Sequence, residues 1–468
     1  MVNYGFVIDN RKCIGCHACS VACKSEHDIP IGVNRTHVKY IETGTYPDSG
    51  REFSVHRCNH CEDAPCTDIC PTTALFTRSD GIVDFDDERC IGCKSCMQAC
   101  PYDALYIDPN KGTAAKCNYC AHRLEESYEP ACVIVCPVEA IISGDLDDPD
   151  SNLSQLISEN VTTVRKPEAG TIPNVYYLDT STEMLDPSAT KNTGDFLWSE
   201  QVAGVGHYAK YAEHRLGAAN TNSMIVQLAL EMKAKEAAPR DEAIIRDVMK
   251  KLKDDSPNAT RSYDAPSKGI LWGWEVSAYI WTKAIASGTY MIAMIAWLSG
   301  QLDMTDLWLP ILGICIFFLG VTGALLVKDL DRPERFLYVM LRPNWKSWLV
   351  KGAYILFIYS GILSLSLLIV LTNQNEEYLR WLAYLGIPFA TLTGIYTAWL
   401  LQQAKARSWS KDNLLPLKFL IETALTGIAV LLLLLGRVEL IIVGITVLLL
   451  LWFHGKHVIQ KPQMESLL

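Results

Sequence analysis

The stretch CIGCKSCMQACP, residues 90–101, places Cys90, Cys93, Cys96 and Cys100 at the spacing x2, x2, x3 and ends in Pro101. Working outward, sixteen of the seventeen cysteines fall into four groups of four, with Cys315 alone in an apolar run. The first group is Cys13, Cys16, Cys19 and Cys23; the second is Cys58, Cys61, Cys66 and Cys70. The last is Cys117, Cys120, Cys132 and Cys136. Four quartets predict four metal centres. Structural zinc and a disulfide framework are the competing readings, since CxxC pairs also build zinc ribbons. Zinc needs only two such pairs per site, whereas every quartet here ends in x3-C. Three of the four run on into proline, at Pro71, Pro101 and Pro137, and Cys23 is followed by Lys24.

The x2, x2, x3, Pro pattern is the bacterial ferredoxin spacing, in which three cysteines hold one 4Fe-4S cube and the fourth reaches the neighbouring cube. A tight loop grips three corners but cannot bend far enough to cap the fourth, so a second loop must supply that ligand. The segments CNHCEDAPCTDICPTTAL (58–75), CIGCKSCMQACPYDA (90–104) and CNYC with PACVIVCPVEAI (117–120 and 130–141) resemble the four-cluster ferredoxin subunits of the dimethyl sulfoxide reductase family. The resemblance covers Met1 to Asp179 and implies that the first group pairs with the fourth and the second with the third. Carried over, Cys13, Cys16 and Cys19 share a cube with Cys136, and Cys117, Cys120 and Cys132 share one with Cys23. Likewise Cys58, Cys61 and Cys66 join Cys100, while Cys90, Cys93 and Cys96 join Cys70.

Residues 1–150 carry 13 Lys and Arg against 24 Asp and Glu, so the overall charge of −10 resides in this part. Such acidity repels phosphate backbones and excludes nucleic acid as a partner, leaving proteins and membranes. The start, MVNYGFVIDN, has neither a twin-arginine pair nor an apolar core, so no export signal is expected.

Short strands such as GIVDFD and ALYID alternate with the cysteine groups, which predicts α+β modules of the bicluster ferredoxin kind over residues 1–180. The ligand-free inserts Ser25 to Arg57 and Ala121 to Ala131 read as solvated loops or as docking surface for a partner. Residues 181–270 read as a polar linker with helical candidates at Ser223 to Ala237 and Asp241 to Asp254, the second amphipathic.

Residues 271–468 read as an all-α transmembrane bundle of about six helices. The apolar runs are Ala278 to Leu298, Leu307 to Val327, Trp348 to Thr372, Tyr378 to Leu401, Leu414 to Gly436 and Val438 to Gly455. Each is long enough to cross ~30 Å of hydrocarbon at ~1.5 Å per residue. Trp272, Trp274, Trp297, Trp345, Trp348, Trp399, Trp409 and Trp452 near the ends are expected to anchor at the interface.

A haem held within the membrane usually needs two facing histidines. Only His454 and His457 lie near the bundle, both at its end, so no haem is expected and electrons must reach a quinone, menaquinone or ubiquinone, directly. Glu275, Tyr279 and Lys283 fall at i, i+4 and i+8 on one face of the first helix. Ionisable groups in membrane helices are expensive and mark function, so these residues, with Asp329, Asp331 and Glu422, are the candidate quinone-site residues. KDLDRPERFLYVMLRPNWKSWLVKGAY (328–354) and GIYTAWLLQQAKARSWSKDNLLPLKFLIETALTG (394–427) resemble the polysulfide-reductase, NrfD-type, quinone-binding membrane subunit. That resemblance implies a haem-free anchor with a quinol site next to a docked ferredoxin subunit, the two here fused into one polypeptide.

The chain therefore reads as a non-catalytic redox subunit and membrane anchor that carries electrons between a molybdopterin-containing catalytic subunit and the quinone pool. A sulfite-oxidising complex is the expected setting. A polysulfide- or tetrathionate-type reductase, or a membrane-anchored redox sensor, is the alternative. Lys and Arg counts favour the inner membrane with the iron–sulfur part in the cytoplasm. Lys328, Arg332, Arg335, Arg342, Lys346, Lys405, Arg407, Lys411, Lys456 and Lys461 stand on one side, against Arg380 and Arg437 on the other.

Overall fold

The computed structural model describes residues 2–45, 48–187, 190–192, 259–264, 268, 271–372 and 374–435. Both linker helix candidates, the sixth apolar run, Trp452, His454 and His457 lie outside the described residues.

Strand β1 (Tyr4–Asp9) is the buried spine of the first part, with Phe6, Val7 and Ile8 fully enclosed. It pairs in parallel with Val175–Leu178 and antiparallel with Ile141–Asp145, so the segments before and after all the cysteine groups close one sheet. Two short hairpins, Leu75–Thr77 with Val83–Phe85 and Tyr106–Asp108 with Thr113–Ala115, flank the central cysteine groups.

The insert from Ser25 to Arg57 is not a solvated loop. Its strands β2 (His37–Thr45) and β3 (Asp48–His56) form a hairpin, and Ala259–Tyr263 and Lys191–Asn192 extend it to a four-stranded sheet. The physical reason is burial on both faces: Val38 and Val55 pair across the hairpin and pack on one side, while Ile41, three positions on and so on the opposite face, packs with Met184 and Ala259. The second insert contains a short helix, Ala121–Glu125.

Among the described residues, five long helices follow: α1 (Trp274–Leu298), α2 (Trp308–Lys328), α3 (Trp348–Leu371), α4 (Glu376–Gln403) and α5 (Leu415–Leu434). The last four are long and apolar enough to cross a membrane. Helix α1 is long enough as well, at ~1.5 Å per residue, but packs inside the others against α2, α4 and α5 and carries buried polar side chains. Phe317, Phe357, Leu368 and Trp381 project outward, as a lipid-facing surface requires. Not every tryptophan is an interface anchor, however. Trp272 stacks on Trp409, both buried, and Trp348 stacks on Trp399, because this end of the bundle is covered by protein.

Helices α1 and α5 cross where Gly288 meets Gly427. A Cβ on Gly288 would run into the Thr423 carbonyl, and one on Gly427 into the Gly288 backbone. Close backbone approach through small residues is how membrane helices gain packing without a hydrophobic driving force. Gly288→Ala should therefore destabilise the detergent-solubilised protein by about 1–3 kcal/mol or more. Gly313→Ala, where a Cβ meets nothing within 4 Å, should be neutral. Equal thermal unfolding curves for the two variants would contradict this crossing.

Candidate functional site

The tight loops around the cysteines follow from left-handed residues at fixed places. Gly15 and Gly92 share φ 68°, while His17 and Lys94 lie at 61° and 59°, so CIGCHAC and CIGCKSC are the same turn. His60 at 43° and Tyr119 at 62° do the same for CNHC and CNYC. This curvature lets backbone N–H groups point inward: Gly92 and Ala114 donate to Cys90 Sγ at 3.4 and 3.3 Å, and Ala140 to Cys136 Sγ at 3.3 Å.

The structure brings the sixteen thiols together across loops. Cys13, Cys16, Cys19 and Cys136 line one hollow. Cys70, Cys90, Cys93 and Cys96 line another, and Cys58, Cys61, Cys66 and Cys100 a third. Each has an empty volume of about 310 to 370 Å3, partly open to solvent. Cys23 sits among Cys117, Cys120 and Cys132. The sets are also neighbours in series, Cys19 facing Cys132, Cys117 facing Cys58, and Cys96 facing Cys66.

A tetrahedral zinc would draw its sulfurs to about 4 Å apart, given Zn–S bonds near 2.3 Å. Among the described residues no three His, Cys, Asp or Glu close on a single-ion site; the sulfurs stand round hollows instead. Burial, and then the crowding of neighbouring thiols, pushes Cys61 and Cys93 up to about 12. Such sets are stable as thiolates only around a positively charged core, and a polynuclear iron–sulfur group meets that need.

The set with Cys93 rests on the membrane helices. Trp272 Nε1 donates to the Cys93 carbonyl at 3.3 Å, and Arg335 Nη1 to the Cys90 carbonyl at 3.1 Å. Asn344 Nδ2 donates to the Cys70 carbonyl at 2.8 Å, and Ser347 Oγ to that of Ile69 at 2.8 Å. Lys94 and Asp331 form a largely buried ion pair at 3.0 Å. Asp331 therefore belongs to the docking contact and not to the face of α1.

Beneath this contact, Trp272 shares an apolar cluster with Val276, Tyr279 and Ile280. One turn deeper, Lys283 is 1% exposed. Its ammonium donates to Thr397 Oγ1 at 2.5 Å and lies 4.3 Å from the centre of the Tyr396 ring. Glu275, at the rim, meets Lys328 at 3.6 Å. Burial, against the pull of Lys94 and with Glu275 and Asp331 nearby, pushes the Asp329 carboxyl up to about 7. Glu422 is half-buried on α5. Sequence reasoning missed Tyr396 and Thr397, whose only signal is a polar pair inside an apolar run.

Residues 51–146 match the 4Fe-4S dicluster domain, and residues 264–440 match Polysulphide reductase, NrfD. The first part is similar to the iron–sulfur subunit of a putative dimethyl sulfoxide reductase from Halobacterium salinarum, 41% identical over 43% of this chain and 89% of the relative. It is also similar to a tetrathionate reductase subunit from Salmonella typhimurium, 41% identical over 42% of this chain and 80% of the relative. A polysulfide reductase component from Wolinella succinogenes is 42% identical over 37% and 92%. This protein belongs to the same family of iron–sulfur subunits, joined here to an NrfD-type membrane domain. Its 4Fe-4S part is followed by a membrane-embedded helical part, and the basic loops that join α2 to α3 and α4 to α5 dock against the 4Fe-4S part. Arg332, Arg335, Lys346, Lys405 and Arg407 all contact the acidic iron–sulfur domain.

The buried Lys94–Asp331 pair should matter more to docking than the exposed ones. Removing one partner of a buried pair costs about 3–5 kcal/mol, whereas an exposed pair is worth about 0–1 kcal/mol. Asp331→Asn should release the iron–sulfur domain to limited proteolysis far faster than Lys405→Ala, whose partner Asp63 is exposed. Equal cleavage rates would contradict this ranking.

Proposed function

We propose that this electron-transfer and membrane-anchor subunit connects a molybdopterin-containing catalytic subunit to a membrane quinone through four 4Fe-4S centres. The observation that carries the reading is the order of the thiol sets. They run from Cys16, which is exposed, to Cys93, half-buried and bonded through its carbonyl to Trp272 at the membrane helices. Ile14, Val21 and Ile134, exposed in this outer part, suit docking of a catalytic subunit. The end that rests on the membrane helices suits delivery to a quinone without haem. When bound, each cube supplies a one-electron carrier; the cysteines hold it and the surrounding loops exclude water. The relatives above are named for reductases and lend no support to sulfite oxidation, so a reductase of a sulfur compound becomes the favoured setting.

For the quinone, the residues are Lys283, Tyr279, Glu275 and Asp329, with Thr397 and Tyr396 added. Lys283 has three N–H donors. One is directed to Thr397 and one toward the Tyr396 ring, which leaves a third for a quinone carbonyl. A lysine buried among apolar helices, with no ion pair to a carboxylate among the described residues, is costly unless it serves binding. Asp329 opens toward the domain contact and can pass the quinone's protons to water. The orientation with the iron–sulfur domain in the cytoplasm rests on Lys328, Arg342, Lys411, Lys456 and Lys461, because the other five basic residues are already engaged in docking.

Three outcomes test this. Anaerobically purified protein should contain about sixteen irons per chain, four per cube, and negligible zinc; two to four zinc ions with little iron would end the reading. Lys283→Ala should slow electron exchange with a quinone analogue by at least about tenfold, or about 1.4 kcal/mol, at unchanged iron content; a parental rate would place the site elsewhere. Quinol oxidation requires Asp329 as carboxylate to accept a proton, so the rate of quinol-linked reduction should rise as pH rises through about 7. Asp329→Asn should flatten that rise; an unchanged profile would remove Asp329 from the path.

A further inference from the structure

Arg57 heads the fully buried side chains of the described residues, at 1% exposure. Its Nη1 donates to Cys132 Sγ at 3.2 Å, and its guanidinium carbon lies 4.5 Å from the centre of the Phe6 ring. Among the described residues no carboxylate pairs with it; its anionic neighbours are Cys132, Cys117 and Cys19. Cys19 belongs to the outermost thiol set, and Cys117 and Cys132 to the next, so the guanidinium stands at the junction of the two.

Two further nitrogens, Nε and Nη2, are buried and have no hydrogen-bond partner among the described residues. A buried cation with orphaned donors is unstable unless an anion of matching shape lies beside it. A cube bound by four thiolates carries net negative charge and presents sulfide acceptors as well as cysteine sulfurs. The other buried cations near the thiol sets are engaged differently. Lys116 Nζ donates to the carbonyls of Val83 and Cys117 and lies beside Cys58, and Lys94 is paired with Asp331. Of these three cations, only Arg57 keeps donors without a partner among the described residues.

We infer that Arg57 is a charge-assisted hydrogen-bond donor to the centre held by Cys23, Cys117, Cys120 and Cys132, and that it raises that centre's reduction potential. The physical reason is that reduction adds one negative charge, which a fixed guanidinium favours, and that hydrogen bonds to the sulfurs act in the same direction. Arg57 is thus a tuning residue: it holds an electron at the second position of the series of centres. The inference rests on the four-centre reading above.

The test is a redox titration of the full-length protein followed by electron paramagnetic resonance, after the iron has been counted. A parent protein without about sixteen irons would sink the four-centre reading itself, separately from the role of Arg57. With iron intact, Arg57→Gln should lower the reduced-to-oxidised ratio of one centre at least tenfold at fixed potential, which is 59 mV for a one-electron couple. Arg57→Lys, which keeps the charge, should shift it less. Fully loaded Arg57→Gln protein with every midpoint unchanged would overturn the inference. If neither variant assembles, parent protein grown with 15N-arginine decides the matter. Its reduced centre should show a 15N hyperfine coupling in pulsed spectra, and the lack of that coupling would overturn the inference.

Discussion

The constraint on which the structure depends is that each thiol set is closed from a distant loop. Cys136 comes to Cys13, Cys16 and Cys19, and Cys23 comes to Cys117, Cys120 and Cys132, so the two ends of the iron–sulfur domain are tied to each other. Cys100 and Cys70 exchange between the two central groups in the same way. The sheet that pairs β1 with Val175–Leu178 and Ile141–Asp145 follows from this crossing, because the first and last loops cannot meet unless the strands that carry them lie side by side. The sulfur-lined hollows are set into the domain's apolar clusters, with cysteines packed beside Ile69, Leu75, Met97 and Leu105. The domain's stability rests both on that apolar packing and on what the thiols hold.

Docking onto the membrane part has a different physical character. It is made of backbone carbonyls of the innermost cysteine loops, accepted into a frame of Trp272, Arg335, Asn344 and Ser347. Charge complementarity adds orientation: an acidic domain sits on basic loops, with Lys346 meeting Asp68 and Lys405 meeting Asp63. Those same loops carry the positive charge by which membrane orientation is ordinarily read. Five of the ten basic residues on that side have a docking reason to be basic, and the sidedness signal is correspondingly smaller than the bare count.

Much of this was legible in the residues because the chemistry is local. A spacing of x2, x2, x3 needs no tertiary information, and apolar runs announce membrane helices by length alone. The α1 face was legible for the same reason, since helical periodicity puts Glu275, Tyr279 and Lys283 in line. What a sequence does not carry is which partner completes a buried group. Lys283 finds Tyr396 and Thr397 on α4, more than a hundred positions away, and Asp331 turns to Lys94 although it lies two residues from Asp329. The sheet built on β2 and β3 was hidden because its pattern is interrupted by polar turns and its outer strands come from Ala259–Tyr263 and Lys191–Asn192. Arg57 gave no signal at all; a single arginine beside Cys58 is read as surface charge until its burial is seen.

The central claim is that the protein is one continuous conductor from the exposed Cys16 to the membrane helices at Cys93. Counting electrons tests it most directly. Purified protein, fully reduced under anaerobic conditions and mixed with excess quinone analogue, should deliver about four electrons per chain, one from each cube, in a single cascade. Delivery of only one or two, with the remaining centres left reduced, would show that the sets are not in series and would contradict the account.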